Sequence, residues 1–96
     1  MLTWVVYDIA KDRTRNRVAR RCLDFGLYRV QKSVFLGDVP PNRVDEILLF
    51  SQEMLNLATD VVYLFPMCRP DFEQVRIVRQ GFDRQLVADE VLTKVI

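Results

Sequence analysis

The residue best suited to chemistry in this sequence is Asp8, which ends an apolar run and directly precedes a strongly basic segment. A carboxylate in such a place can hold Mg²⁺, because that ion takes oxygen ligands and leaves water and substrate phosphates to complete its octahedron. One carboxylate per chain is few ligands for metal-ion catalysis. A two-fold dimer would supply a second carboxylate by bringing two Asp8 side chains together. The alternative is that Asp8 caps a turn or pairs with a nearby arginine. Asp8 is therefore the candidate metal ligand and catalytic residue.

A dense group of positive charges follows Asp8. Within eleven residues, six cations are opposed by one acid, Asp12, and these cations are Lys11, Arg13, Arg15, Arg17, Arg20 and Arg21. On a helix, like charges at three- and four-residue spacing repel unless anions neutralise them. Nucleic-acid phosphates would do so, with an affinity that falls as salt rises. The alternative is a solvated arginine face that pairs with acidic residues of the second half of the chain.

The charge of the 96-residue chain is distributed unevenly. The first 43 residues carry nine Lys/Arg and four Asp/Glu, a net +5, whereas residues 44–96 carry five and nine, a net −4, so the total is +1. Eleven of the fourteen cations are arginine, the side chain suited to bidentate contacts with phosphate. An anionic polymer is therefore a reasonable partner for the first half.

The remaining chemistry is limited by the residue types that are missing. The sequence has no histidine, so a histidine general base is excluded and any hydrolysis relies on metal-activated water. Cys22 and Cys68 have no CxxC spacing, and a structural zinc site normally needs four ligands, which favours a reduced, cytoplasmic setting. One face of a predicted strand carries Arg29, Gln31, Ser33 and Phe35, and the three polar members are candidates to contact phosphate oxygens or a metal-bound water.

Two helices are expected to position these residues. Asp12 is a suitable N-cap for the first helix, and Gly26 is its stop. The predicted apolar stripe of this helix consists of Val18, Ala19, Cys22, Leu23 and Phe25. The second helix begins at Pro40 and Pro41, because proline suits the first turn. Its predicted inward stripe consists of Val44, Ile47, Leu48, Ser51 and Leu55.

Four strands complete the predicted fold. Runs of β-branched, aromatic or alternating residues predict them at residues 2–9, 27–39, 60–65 and 75–78. The resulting order of elements is β-α-β-α-β-β. The split β-α-β arrangement accommodates this order, which predicts an α+β fold: a ferredoxin-like sandwich of the β-α-β-β-α-β type. Residues 1–80 would form one domain, and the apolar residues 81–96 a C-terminal extension that adds a strand to a sheet of the dimer. No apolar run approaches the roughly 20 residues of a membrane span, and residues 1–8 do not resemble a signal peptide.

Four motifs in this sequence resemble those of one family. VVYDI at residues 5–9, FGL at 25–27, RVQKSVF at 29–35 and LFPMC at 64–68 occur in the order and at the spacing found in the CRISPR-associated Cas2 family. The resemblance covers about residues 1–80. It implies a ferredoxin-like homodimer in which Asp8 faces its symmetry mate and coordinates a divalent ion.

The same resemblance implies partners and an activity. Some members of the family are metal-dependent endonucleases acting on RNA or double-stranded DNA, and the broader role is to bridge two dimers of the CRISPR integrase and hold the captured DNA. On this basis the phosphate contacts would be Arg13, Arg15, Arg17, Arg20, Arg21 and Arg29. The sequence departs from the family at Lys32, and its second helix is acidic on the outside, which argues against DNA on that surface.

Two other functions are compatible with the same fold. A VapD-like toxin ribonuclease shares the fold and an aspartate at the end of the first strand. A ferredoxin-like small-molecule sensor is the weaker alternative, because the sequence has no glycine-rich ligand loop.

Overall fold

A computed structural model describes residues 1–76 and residue 78 of the chain. These residues form four strands, β1 (Leu2–Asp8), β2 (Tyr28–Gln31), β3 (Val34–Asp38) and β4 (Val61–Met67), and three helices, α1 (Asp12–Asp24), α2 (Pro41–Met54) and the short α3 (Arg69–Glu73). The order β-α-β-β-α-β, followed by α3, is that of a ferredoxin-like fold. The predicted α+β fold class is confirmed. The predicted extension at residues 81–96 lies outside the described residues.

The four strands form one antiparallel sheet in the order β2-β3-β1-β4. The central strand β1 pairs with β3 on one side, where Val5 lies opposite Phe35, and with β4 on the other, where Asp8 lies opposite Val61. β1 therefore has a hydrogen-bonded neighbour on each side, and its residues from Leu2 to Tyr7 are buried or half-buried, in keeping with its uninterrupted apolar run.

Helices α1 and α2 cover one face of this sheet. Val5 and Phe35 of the sheet are fully buried there against Val18 and Cys22 of α1 and Ile47 of α2. The predicted stripes of both helices are confirmed for most of their members. The exceptions are Leu23 of α1 and Leu48 of α2, which are 51% and 47% exposed because they lie on the flanks of their helices.

The opposite face of the sheet is only partly covered. Phe72 of α3 packs there with Leu2 and Leu36, and Trp4 borders this smaller cluster. The rest of this open face presents Tyr63 and Phe65 of β4, about half exposed and stacked at 5.9 Å between ring centroids. None of the helices within residues 1–76 and 78 is long and apolar enough to cross a membrane.

Three of the predicted strands differ from the structure. Residues 27–39 form a hairpin rather than one long strand, because a turn at Lys32 and Ser33 separates β2 from β3. Of the predicted fourth strand at residues 75–78, the described residues Val75, Arg76 and Val78 lie in no strand. The predicted third strand continues through Pro66, which is tolerated because, among residues 1–76 and 78, β4 is paired on one side only.

The ends of the first helix are partly as predicted. Lys11, not Asp12, is the N-cap of α1, and Asp12 is its first residue, where a negative charge favours the helix dipole. At the other end Gly26 adopts a left-handed conformation with φ of +88°, and its amide donates to the carbonyl of Leu23. The glycine stop is therefore confirmed.

Candidate nucleic-acid and metal site

Asp8 lies at the end of β1, with its side chain exposed. It borders a cleft of about 450 Å³ between the start of α1 and the β2–β3 turn, which is lined by Tyr7, Asp8, Ile9, Arg15, Asn16, Arg29, Lys32 and Ser33. Because side chains alternate along a strand, Asp8 also falls on the same side of β1 as Trp4 and Val6, which face the open side of the sheet. The carboxylate is thus placed where the basic cleft meets the open face.

Arg15 fixes the start of the loop that follows Asp8. Its Nη1 donates to the carbonyl oxygen of Ile9 at 3.0 Å, and its other terminal nitrogen forms an ion pair with Asp12 one helical turn earlier. The Ile9 side chain is buried in the main core. The guanidinium of Arg15 therefore stabilises the loop and also contributes positive charge to the cleft.

The carbonyl oxygen of Lys32 accepts three hydrogen bonds on the other side of the cleft. The Tyr7 hydroxyl donates to it at 3.0 Å, and Arg29 donates through Nε at 3.2 Å and Nη2 at 2.7 Å. Burial raises the pKa of Tyr7, which keeps its hydroxyl protonated as a donor. Arg29 also lies over the ring of Phe35, 5.4 Å from the centroid. These contacts fix the β2–β3 turn as the second wall of the cleft.

Arg21 contacts aromatic rings rather than the cleft. Its guanidinium lies 5.1 Å from the ring centroid of Phe25 and 5.1 Å from that of Phe50, so it joins α1 to α2. Arg43 lies over Phe25 as well, at 5.2 Å. Such cation–π contacts stabilise an exposed site by about 0.5–1 kcal/mol each.

The other three arginines of α1 are exposed and have no such partners. Within residues 1–76 and 78, Arg13, Arg17 and Arg20 form no hydrogen bond, ion pair or ring contact. Their spacing of four and three residues places them along one face of the helix, about 10 Å from the first Cα to the last at a rise of 1.5 Å per residue. We call Arg13, Arg17 and Arg20 the open arginine row.

The structure thus brings together only some of the predicted site residues. Asp8, Arg15 and Arg29 line one cleft, and Ser33 joins them, whereas Arg21 and the open arginine row lie outside it. Our sequence analysis did not identify Asn16 as a cleft residue or the carbonyl of Lys32 as an acceptor. Neither has a local pattern that would indicate its role, because the turn and the helix meet only in the folded chain.

The donor atoms of the cleft fit a hydrated Mg²⁺ ion rather than a closed metal centre. Within residues 1–76 and 78 no three His, Cys, Asp or Glu side chains converge on a common point. The cleft offers the Asp8 carboxylate, with the oxygens of Ser33 and Asn16 nearby. Mg²⁺ is commonly bound through one or two carboxylates while it keeps several waters, and Asp8 is a carboxylate that would suit such an ion.

The fold and this arrangement of charges place the chain among small ferredoxin-like α+β proteins with a basic cleft at the end of the first strand. The model of the family described as CRISPR associated protein Cas2 matches residues 1–75. The chain belongs to the Cas2 family.

Similar proteins agree with this assignment. The chain is 37% identical over 71 residues to a protein of Desulforudis audaxviator named CRISPR-associated endoribonuclease Cas2, covering 74% of this chain and 67% of that protein. It is 38% identical over 81 residues to a Chloroflexus aurantiacus protein of the same kind, covering 82% and 93%. The crystal structure of Streptococcus pyogenes Cas2 at pH 6.5 superposes with a TM-score of 0.70 at 25% identity, covering 82% of this chain and all of that one.

Proposed function

We propose that this protein acts in the cytoplasm as a homodimer that binds double-stranded DNA and bridges the CRISPR integrase during spacer acquisition. The observation that carries the proposal is the open arginine row, which presents three cations to solvent and pairs with no anion among residues 1–76 and 78. Such charges bind a phosphate backbone independently of sequence. The basic residues Arg15, Arg29 and Lys32 extend this positive surface into the cleft.

The open face of the sheet supports the homodimer. Trp4, Val6, Val30, Val34 and Phe65 are among the residues that line a cavity of about 550 Å³ on this face. Contiguous exposed apolar surface of this kind is typical of a protein interface. Asp8 is the last residue of β1 and lies on the side of the strand that faces this surface. A two-fold pairing of two such faces would therefore place the two Asp8 carboxylates at the same edge of the dimer interface.

Reconstitution with the neighbouring integrase tests the adaptation role. We expect the purified protein to sediment as a dimer, to retain duplex DNA at low salt, and to recover the integrase in a pull-down that contains duplex DNA. A monomer that retains no duplex at low ionic strength would contradict the proposal. Membership of the Cas2 family favours this function over a toxin ribonuclease, and an adjacent antitoxin gene in place of a repeat array would favour the toxin.

A second candidate function is a divalent-metal-dependent endonuclease of RNA or DNA, which the position of Asp8 in a basic cleft favours. Asp8 would hold Mg²⁺, and the bound ion would supply positive charge for a phosphodiester and activate water. Arg15, Arg29 and Lys32 would orient the phosphate, since they line the same cleft as Asp8. The named relatives are endoribonucleases, which makes RNA the first substrate to test.

Substitution of Asp8 separates the two functions. Asp8→Asn keeps the shape of the side chain but removes its charge, so we expect cleavage of RNA and duplex DNA in Mg²⁺ to fall at least about a hundredfold, an effect typical of losing a key catalytic group. Duplex affinity and integrase recovery should stay within about twofold of the unsubstituted protein, because the arginines carry the binding. Cleavage at the full rate by Asp8→Asn would show that the Asp8 mechanism is wrong.

A further inference from the structure

The turn that precedes β4 carries a carboxylate whose hydrogen bonds reach the loop after Asp8. Asp60 Oδ1 accepts a hydrogen bond from the backbone amide of Ala10 at 3.0 Å, across 50 residues of sequence. The neighbouring strands explain the proximity, because Val61 lies directly opposite Asp8 in the β1–β4 register. Asp60 therefore joins the end of β1 to the start of β4 at the position of the candidate catalytic residue.

Asp60 is itself held in one orientation. Its Oδ2 accepts from the backbone amide of Asn56 at 3.1 Å, and Oδ1 also accepts from the hydroxyl of Thr59 at 3.1 Å. The side-chain oxygen of Asn56 accepts from the amide of Ala58, which closes the same turn. The amide donors of Ala10 and Asn56 hold the pKa of Asp60 below its usual value, as expected for a carboxylate that accepts backbone hydrogen bonds.

The loop after Asp8 is anchored at two successive residues. Arg15 holds the carbonyl of Ile9, and Asp60 holds the amide of Ala10. The Arg15 bond ties the loop to α1 only, whereas the Asp60 bond ties it to the neighbouring strand of the sheet. Removing the Asp60 carboxylate would leave the amide of Ala10, an exposed residue, to bond with water and would let the loop shift relative to β4.

We propose that Asp60 is a positioning residue that fixes the chain after Asp8 and so sets the direction of the Asp8 carboxylate in the cleft. The effect on cleavage rests on the endonuclease function proposed above, but the effect on the loop and on metal binding does not. An active-site group must be held within about 0.5 Å by its supporting residues, and a misplacement of about 1 Å can cost a hundredfold in rate.

The test compares Asp60→Ala, Asp60→Asn and the control Asp45→Ala, which removes an exposed carboxylate of α2. Asparagine keeps an oxygen that can accept from Ala10, whereas alanine does not. Three measurements are made on each protein: hydrogen exchange of the Ala10 amide by NMR, affinity for Mn²⁺ alone by electron paramagnetic resonance, and kcat and KM for cleavage of RNA in Mg²⁺.

For Asp60→Ala we expect exchange at Ala10 to quicken at least about tenfold, Mn²⁺ to bind about threefold or more weakly, and kcat to fall about tenfold with KM within twofold, in keeping with the cost of small misplacements. Asp60→Asn should recover most of each loss, and Asp45→Ala should change none. Faster exchange at Ala10 with unaltered Mn²⁺ affinity and kcat would overturn the positioning role. If the unsubstituted protein cleaves nothing, the endonuclease proposal fails, and the Mn²⁺ and exchange results still decide the role of Asp60.

Discussion

The helices α1 and α2 differ in charge although they occupy equivalent positions. They have 13 and 14 residues and pack on the same face of the sheet, α1 through Val18 and Cys22 and α2 through Ile47. Yet α1 contains five arginines and two aspartates, whereas α2 contains one arginine and three acids. Because the buried faces of the two helices are alike, the difference in charge concerns the partners of their exposed surfaces.

The opposite charges of the two helices do not neutralise each other. Among residues 1–76 and 78, the ion pairs of these helices lie within each helix, Arg15 with Asp12 and Arg43 with Glu46. Two cation–π contacts join the helices instead, Arg21 of α1 with the ring of Phe50 in α2, and Arg43 of α2 with the ring of Phe25 at the end of α1. The arginines of α1 therefore belong to two groups, one that stabilises the fold and one that remains available to a phosphate backbone.

Reversing the charge of the open arginine row should have the largest effect on binding. For Arg17→Glu with Arg20→Glu, we expect duplex affinity at about 100 mM salt to fall at least a hundredfold, and the slope of log K against log salt to flatten by about two. The loss should be the same for unrelated duplex sequences, because the contacts are to phosphate. Fluorescence anisotropy over a salt series measures both quantities, and an unaltered affinity would mean that α1 presents only a solvated surface.

Arg21 should behave in the opposite way. Arg21→Gln removes contacts with two aromatic rings, so we expect the free energy of unfolding to decrease by about 1 kcal/mol. The salt dependence of duplex binding should stay as it was. The matched change Arg20→Gln should leave the unfolding energy unaltered and reduce the salt slope by about one. Denaturant unfolding and anisotropy separate the two, and a slope that also falls for Arg21→Gln would place this side chain on the DNA.

The division of the arginines shows what the sequence could and could not predict. The helical spacing correctly placed the arginines on α1, and the apolar stripes predicted which face of that helix is buried. The contact of Arg21 with Phe50 depends on how α1 and α2 pack, and residues 29 positions apart give no local signal of it. For the same reason the bond between Ala10 and Asp60 could not be predicted.

The hairpin within residues 27–39 was missed for a different physical reason. The two-residue turn at Lys32 and Ser33 places Gln31 opposite Val34, which by itself would reverse the alternation of side chains. The irregularity between Arg29 and Gln31 restores the alternation, so the pattern resembles one strand. Among the described residues only a glycine has a positive φ, so Lys32 and Ser33 do not adopt the left-handed conformation that favours glycine or asparagine. The turn therefore lacks the residue types by which a hairpin is recognised in a sequence. The alternation still placed Arg29 and Phe35 on one face, and they lie opposite each other in the hairpin.

The smallest effect is expected on the acidic helix, and it completes the comparison. Asp45→Lys with Glu53→Lys adds four units of positive charge to the exposed surface of α2. If DNA lies on α1, these positions are remote from the phosphates and screened, because the Debye length is about 10 Å at 0.1 M salt. We therefore expect duplex affinity to rise by less than about threefold, with no change in salt slope beyond about 0.5. A gain comparable to the loss caused by the reversal of Arg17 and Arg20 would show that net charge, not the position of the open arginine row, governs binding.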